Sequence, residues 1–172
     1  MAELTYKERL QPSLLDRLTD DDRERSQESR TDRVLSPSRL RECVRRDLAW
    51  LFNTTNLACV ITEIDDLPYV AASALNFGLP DLTGHTASSI DLLTIERLLR
   101  TAIWNFEPRL IRNSVRVKLD VNPEDMTHNA MTFTVEAELW AQPLPLRLFF
   151  KTDIDLETGD VQVEELGKAD RT

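Results

Sequence analysis

The stretch AIWNFEPRL, residues 102–110, places a carboxylate, a proline and a guanidinium in succession: Glu107, Pro108 and Arg109. Proline stops a helix that reaches it, because it lacks an N–H and its ring clashes with the preceding turn. Glu107 therefore belongs to the last helical turn. There the negative end of the macrodipole disfavours an anion by about 0.3–1 kcal/mol. A carboxylate in that place calls for a cationic or hydrogen-bonding partner. Two arrangements supply one. In the first, a local pair of Glu107 with Arg109 or with Arg112 fixes the corner after the helix. In the second, Glu107 and Arg109 face outward and latch onto another subunit.

Other chemistry finds little support. His85 and His128 have no cysteine, carboxylate or second histidine at ligand spacing, so no metal site is expected. No serine sits in a nucleophile elbow, and neither cysteine has a histidine near it in sequence. Cys43 and Cys59 lie far apart in apolar surroundings and read as buried thiols of a reducing compartment. The four glycines are not spaced to cradle a phosphate, and no cofactor is implied. Glu107 with Asp81 can be nominated as a glycosidase-like carboxylate pair. With 30 acids in the chain, almost any pair can.

The elements that position these residues follow from pattern. At 172 residues, 41% hydrophobic and 30% charged, the chain suits one folded domain plus a tail. Leu10, Leu14, Leu15 and Leu18 form a short apolar stripe, with Pro12 in a first helical turn and Ser13 as a cap. Two turns do not hold a helix alone in water, so this segment needs something to dock on. Either a partner takes it, or Leu14 and Leu18 fold back onto the chain's own core. Residues 19–33 hold no apolar side chain and read as a mobile charged linker. Residues 1–18 are thus a docking peptide, 19–35 a tether and 36–168 the folded domain.

In that domain Ser36–Pro37 caps a helix with the core stripe Leu40, Val44, Leu48, Leu51 and Phe52, ending near Asn53. LACVI, residues 57–61, reads as a short buried strand or a helix end. Pro68 opens one short helix stopped by Gly78. Ser88 or Ser89 caps the next, whose stripe is Leu92, Ile95, Leu99, Ala102, Ile103 and Phe106. The period then becomes two: Val115–Val121, Met131–Leu139, Leu144–Phe150 and Val161–Val163, the last reached through the turn at 158–160. Helices followed by alternating strands predict an α+β domain of two layers, helices on one face of an antiparallel meander.

Net charge is -9 with a pI near 4.8, which argues against a general nucleic-acid binder. Charge is uneven: six basic residues against Glu107 alone from Arg97 to Lys118, then twelve acids against four basic residues from Leu119 onward. Such polarity favours oriented docking between charged protein surfaces. No apolar run is long enough to cross a bilayer, and the N-terminus is too charged for a signal peptide, so a cytoplasmic protein is expected.

AIWNFEPRL resembles the signature of the TssE family, the baseplate subunit of type VI secretion, related to a wedge protein of contractile-tailed phages often labelled lysozyme-like. PSLLDRLTDD, LRECVRRDLAWLFNT, SALNFGLPDLTG and AELWAQPLPLRLFFKTDIDLETGDV resemble the family's N-terminal peptide, first long helix, central loop and closing strands. Phe77 stands where tyrosine is expected. The resemblance implies a structural part and no enzyme, placed with TssF, TssG and TssK around the VgrG spike and tube. It also implies a templating role for the first ring of the TssB–TssC sheath, through a domain like the sheath's strand-sharing handshake domain. Glu107, Pro108 and Arg109 are the motif positions implied in assembly. With Arg112 and the peptide residues Leu14, Leu15 and Leu18, they make up the expected partner-binding set. The lysozyme label leaves a peptidoglycan hydrolase as the rival reading, and a generic protein adaptor as a third.

Overall fold

Ser36 Oγ accepts the Arg39 N–H at 3.2 Å and Pro37 occupies the first turn, so helix α2 runs Pro37–Phe52 as its sequence predicts. The computed structural model describes residues 13–19, 36–83, 91–120, 130–140 and 145–166. Four antiparallel strands follow the helices as a meander in the order β1–β2–β3–β4: Arg116–Asp120, Ala130–Leu139, Leu146–Asp155 and Val161–Glu165. Met131, Phe133, Val135, Ala137 and Leu139 of β2 are buried, as are Leu148, Phe150, Thr152 and Ile154 of β3. Alternation thus puts one face of the sheet under the helices. Helix α4, Leu92–Phe106, packs over β1, and α2 packs over β4. Phe52 meets Phe133 edge-on across this layer, ring centroids 5.5 Å apart. The C-cap residue Asn53 ties α2 to β4, accepting the Val161 N–H at 2.9 Å and donating to the Val161 carbonyl at 2.8 Å. The expected α+β architecture of helices over an antiparallel meander is the architecture found.

Several local expectations are corrected. Residues 57–61 form neither buried strand nor helix end. They make a surface 3₁₀ turn at Leu57–Cys59 with no buried residue. Cys59 is therefore exposed, its thiol donating to Asn56 Oδ1 at 3.2 Å, while Cys43 is buried as expected. The segment opened by Pro68 divides into α3, Pro68–Ala71, and a 3₁₀ turn, Ala74–Asn76. Ser73 Oγ accepts the Leu75 N–H and restarts the chain there, and no apolar stripe holds a longer helix. Helix α4 is capped by Asp91, which accepts the Leu93 N–H at 3.2 Å and the Thr94 hydroxyl at 2.5 Å. Ser88 and Ser89 lie outside the described residues, as do Leu10, Pro12, Val121, Leu144, the linker at 20–35 and both histidines.

Gly78 serves a close approach. Its φ is +125°, and a Cβ there would sit 2.2 Å from the Thr54 carbonyl oxygen. That carbonyl accepts the Leu79 N–H at 2.7 Å, so the chain after α2 and the loop before Pro80 run side by side. The contact delivers Phe77 to the end of α4, where it meets Phe106 edge-on at 5.2 Å. Among the described residues no helix is long and apolar enough to cross a membrane.

Candidate functional site

The helix α4 ends at Phe106, and Glu107 is its C-cap, donating its N–H to the Ile103 carbonyl at 2.9 Å. Its carboxylate is turned inward and is only 4% exposed. Burial of a charge demands compensation, and Arg109 provides it. The Arg109 N–H and Nε donate to Glu107 Oε1 at 3.1 and 2.7 Å, and Nη2 donates to Oε2. Of the two arrangements the sequence left open, the structure contains the local pair, with Arg109 and not Arg112 as the partner. Arg112 instead donates to the Trp104 carbonyl at 3.1 Å while Trp104 Nε1 donates back to the Arg112 carbonyl at 2.9 Å. It thereby gives the last turn of α4 the cationic donor that the dipole favours.

The sequence gives no hint of the next member. Arg109 Nη2 also donates to Asp47 Oδ2 of α2 at 2.5 Å, 62 positions away. Asp47 Oδ1 takes Arg46 Nε and Nη2 at 2.9 and 2.7 Å, and Arg46 Nη1 reaches Asp16 Oδ1 at 2.7 Å. Asp16 belongs to α1, the helix Leu14–Leu18, which Ser13 caps by accepting the Asp16 N–H. The result is a relay, Asp16–Arg46–Asp47–Arg109–Glu107, joining three elements. Burial alone would lower the basicity of Arg109, but its bonds to Glu107 and the charge of Glu107, then of Asp47, hold its pKa above the ordinary value. Asp16 shows the opposite balance: burial raises it, and the bonds from Ser13 and Arg46 outweigh that and leave it below 3.8. The Nη1 of Arg109 is buried with no acceptor among the described residues.

Pro108 stays exposed because both neighbours are pinned. The Arg109 carbonyl accepts the Trp140 N–H at 2.8 Å, the Ile111 N–H donates to the Glu138 carbonyl at 2.8 Å, and Leu110 is buried against β2. Beside this corner runs a groove of about 510 Å³, walled by Leu48, Trp50, Leu51, Phe77, Phe106 and Pro108, with Asp47, Glu107 and Arg109 as its charged side. Arg46 stacks over Trp50, its guanidinium carbon 4.8 Å from the ring centroid. Leu15 of α1 and its cap residue Ser13 also line it. The segment meets its own chain through Leu15 and Asp16, whereas Leu14 and Leu18 remain 72% and 74% exposed.

Such a site can hold a protein segment. An apolar trough with an exposed aromatic and buried guanidinium has the make-up of an interface centre. The nominated carboxylates Glu107 and Asp81 are not brought together: Arg109 bonds to both oxygens of Glu107, and Asp81 lines a second, polar cavity with Asn53, Thr158 and Asp160. Among the described residues no group of side chains could hold a metal ion. The basic run falls on α4, β1 and their connection, with Arg116 and Lys118 on one edge strand. Glu164 and Glu165 lie on the opposite edge strand, β4, so charge is polarised across the sheet.

The family described as baseplate wedge protein gp25 matches residues 38–144, a span that takes in nearly all of α2, the whole of α4, the corner, β1 and β2. No curated protein and no solved structure matches.

Proposed function

Because the chain belongs to the family of the baseplate wedge protein gp25, we propose that it is the TssE-type subunit of a type VI secretion baseplate, docked through the Glu107–Pro108–Arg109 corner. Membership gives the coarser role directly: a structural baseplate component of a phage-like contractile system, which meets other baseplate components. The finer role assigns TssF, TssG and TssK as wedge neighbours, the TssB–TssC sheath as the structure it anchors, and the VgrG spike or tube as an indirect neighbour. It places the protein in the cytoplasm, on a baseplate attached to the inner-membrane complex. It has no catalytic step.

One observation supports the corner as the docking point. The ion relay lies within the subunit, yet it holds Pro108 and the Trp50 ring at the mouth of an apolar groove. Glu107 and Arg109 then act as positioning residues that shape the surface, and Pro108, Trp50 and Phe106 touch the partner. Strand sharing with the sheath falls to the five-residue edge strand β1, because Arg45 of α2 and its cap Asn53 already hold the outward backbone of β4 at Val163 and Val161.

Pro108→Glu puts a charge at the groove, and Trp50→Ala removes its exposed ring without adding a carboxylate beside Arg46, which keeps its bonds to Asp47 and Asp16. Both variants are expected to keep the wild-type urea midpoint and to lose co-purification with TssF, TssG and TssK from type VI-competent cells. Full co-purification by both folded variants would overturn the assignment.

A further inference from the structure

The Leu119 N–H of β1 donates not to β2 but to Glu96 Oε1 of α4, at 3.1 Å. In an antiparallel ladder, backbone groups of alternate residues point to the same side. Leu119 therefore turns its backbone outward from the sheet, and so do Val117 and Val115. Val115 gives its N–H to the Arg112 carbonyl at 3.3 Å. Glu96 holds that of Leu119, and among the described residues the N–H of Val117 between them has no outward acceptor. Glu96 makes this bond although Arg100 stands one turn along the same flank of α4, the ordinary partner for a helical carboxylate. Arg100 lies instead over Trp104, its guanidinium carbon 5.3 Å from the ring centroid, and its Nε is buried with no acceptor among the described residues. A carboxylate released from Leu119 thus has a cation within reach on its own helix.

Charge indicates what the edge accepts. Arg116 and Lys118 are exposed on the face of β1 away from the helices, opposite Glu136 and Thr134 of β2, so this strip is net positive. On the helix side, Leu93 and Trp104 share the flank of Glu96, and Leu93 is 69% exposed. A second copy of this chain fits badly. Pairing β1 with β1 sets like charges side by side, and β4 has its outward backbone held by Asn53 and Arg45.

We propose that Glu96 is a removable guard on the β1 edge, and that the strand displacing it comes from another protein and alternates apolar with acidic side chains. The inference rests on β1 as the edge shared with a partner, and adds what closes that edge and what opens it. In place, Glu96 occupies a bond that an added strand needs and sets an anion in the path of its carbonyls, which turns poorly matched strands away. A matching strand gives its carbonyl to Leu119, lays its apolar side chains against Leu93 and Trp104, and sets its acids beside Arg116 and Lys118. Glu96 then moves to Arg100.

The test titrates the full, nitrogen-labelled chain with a capped peptide of alternating valine and glutamate at millimolar concentration, read by amide resonances. Val117 and Leu119 are expected to shift while Val161 and Val163 on the far edge stay. Glu96→Ala should bind at least threefold more tightly with an unchanged far-UV spectrum. Arg116→Glu with Lys118→Glu should bind at least tenfold more weakly, and a valine–lysine peptide should not bind the wild type. Arg100→Gln should weaken binding in the wild type but not in the Glu96→Ala background, a difference that a role confined to Trp104 does not produce. The guard is overturned if Glu96→Ala binds no more tightly than wild type, if neither chain shows the shifts, or if the lysine peptide binds equally well. It is also overturned if the Val117 amide is already protected from exchange in the free chain, since another segment of the chain or a second copy then covers the edge. Peptide binding as expected, with TssB–TssC co-purification undiminished in the Arg116→Glu, Lys118→Glu chain, supports the guard and overturns the sheath as its partner.

Discussion

Arg109→Ala strands a carboxylate that the fold has buried. Glu107 is 4% exposed and would keep only the backbone N–H at 3.1 Å, losing the Nε and Nη2 donors. Removing one member of a buried pair costs about 3–5 kcal/mol. The Arg109 side chain is 23% exposed, so solvent screening moves the cost to the lower end, about 3 kcal/mol. Glu107→Ala leaves the guanidinium with Asp47 and some water, at a cost of about 2 kcal/mol. The double variant removes both charges together and should cost about as much as Arg109→Ala alone, which gives a coupling of about 2 kcal/mol. Urea unfolding followed by far-UV circular dichroism measures all four chains, and urea is preferable because guanidinium salt screens the pair. A coupling below about 0.5 kcal/mol would refute the buried relay. So would an Arg109→Ala chain no less stable than one carrying Arg116→Ala on the exposed edge strand.

Gly78→Ala forces a Cβ to 2.2 Å from the Thr54 carbonyl at a φ of +125°, and should lower stability by about 3 kcal/mol in the same urea assay. Thr152 is fully buried on the core face of β3 with no partner for its hydroxyl among the described residues; Thr152→Val should be neutral or stabilising by up to about 1 kcal/mol. Seating of α1 should depend on acid in one direction. The folded-state pKa of Asp16 is depressed below 3.8, so its contribution is present above that value and lost as pH falls through the depressed one. The Asp16 amide resonance should therefore hold its seated position from neutral pH down to about 4 and move below it, and Arg46→Gln should bring that midpoint up towards the ordinary value.

What the sequence made legible is local. Ser36–Pro37, the α2 stripe and the alternation of β2 and β3 each declare themselves within one or two turns or strands, because spacing alone decides which side chains meet. Pro108 as the stop of α4, and a cationic partner for Glu107, follow from proline chemistry and the dipole. Two features were hidden for physical reasons. Asp47 enters the site only because α2 passes the corner, and nothing in Arg46–Asp47 distinguishes that aspartate from a solvated one. The seating of α1 was hidden because Leu10, Leu14, Leu15 and Leu18 suggest one stripe in the sequence, whereas Leu15 and Asp16 make the contact and Leu14 and Leu18 are exposed. Phe77 shows the middle case: its apolar ring was legible, but its place against Phe106 depends on the close passage at Gly78.

A buried ion relay at a docking corner is poorly explained by stability alone, since an apolar replacement of similar volume often serves a fold as well. Directional bonds do something that packing cannot. Three bonds from Arg109 and one to Asp47 fix the corner against rotation, and Arg112 removes the need for Glu107 to serve the helix end. Pro108 adds a residue whose φ is already fixed. A surface ordered in advance loses little conformational entropy when a partner arrives, so more of the contact energy is left for affinity. On this reasoning the relay is selected for the geometry it imposes on Pro108 and Trp50. Substitutions that keep the charges but loosen the bonds, such as Arg109→Lys, should weaken docking more than they weaken the fold.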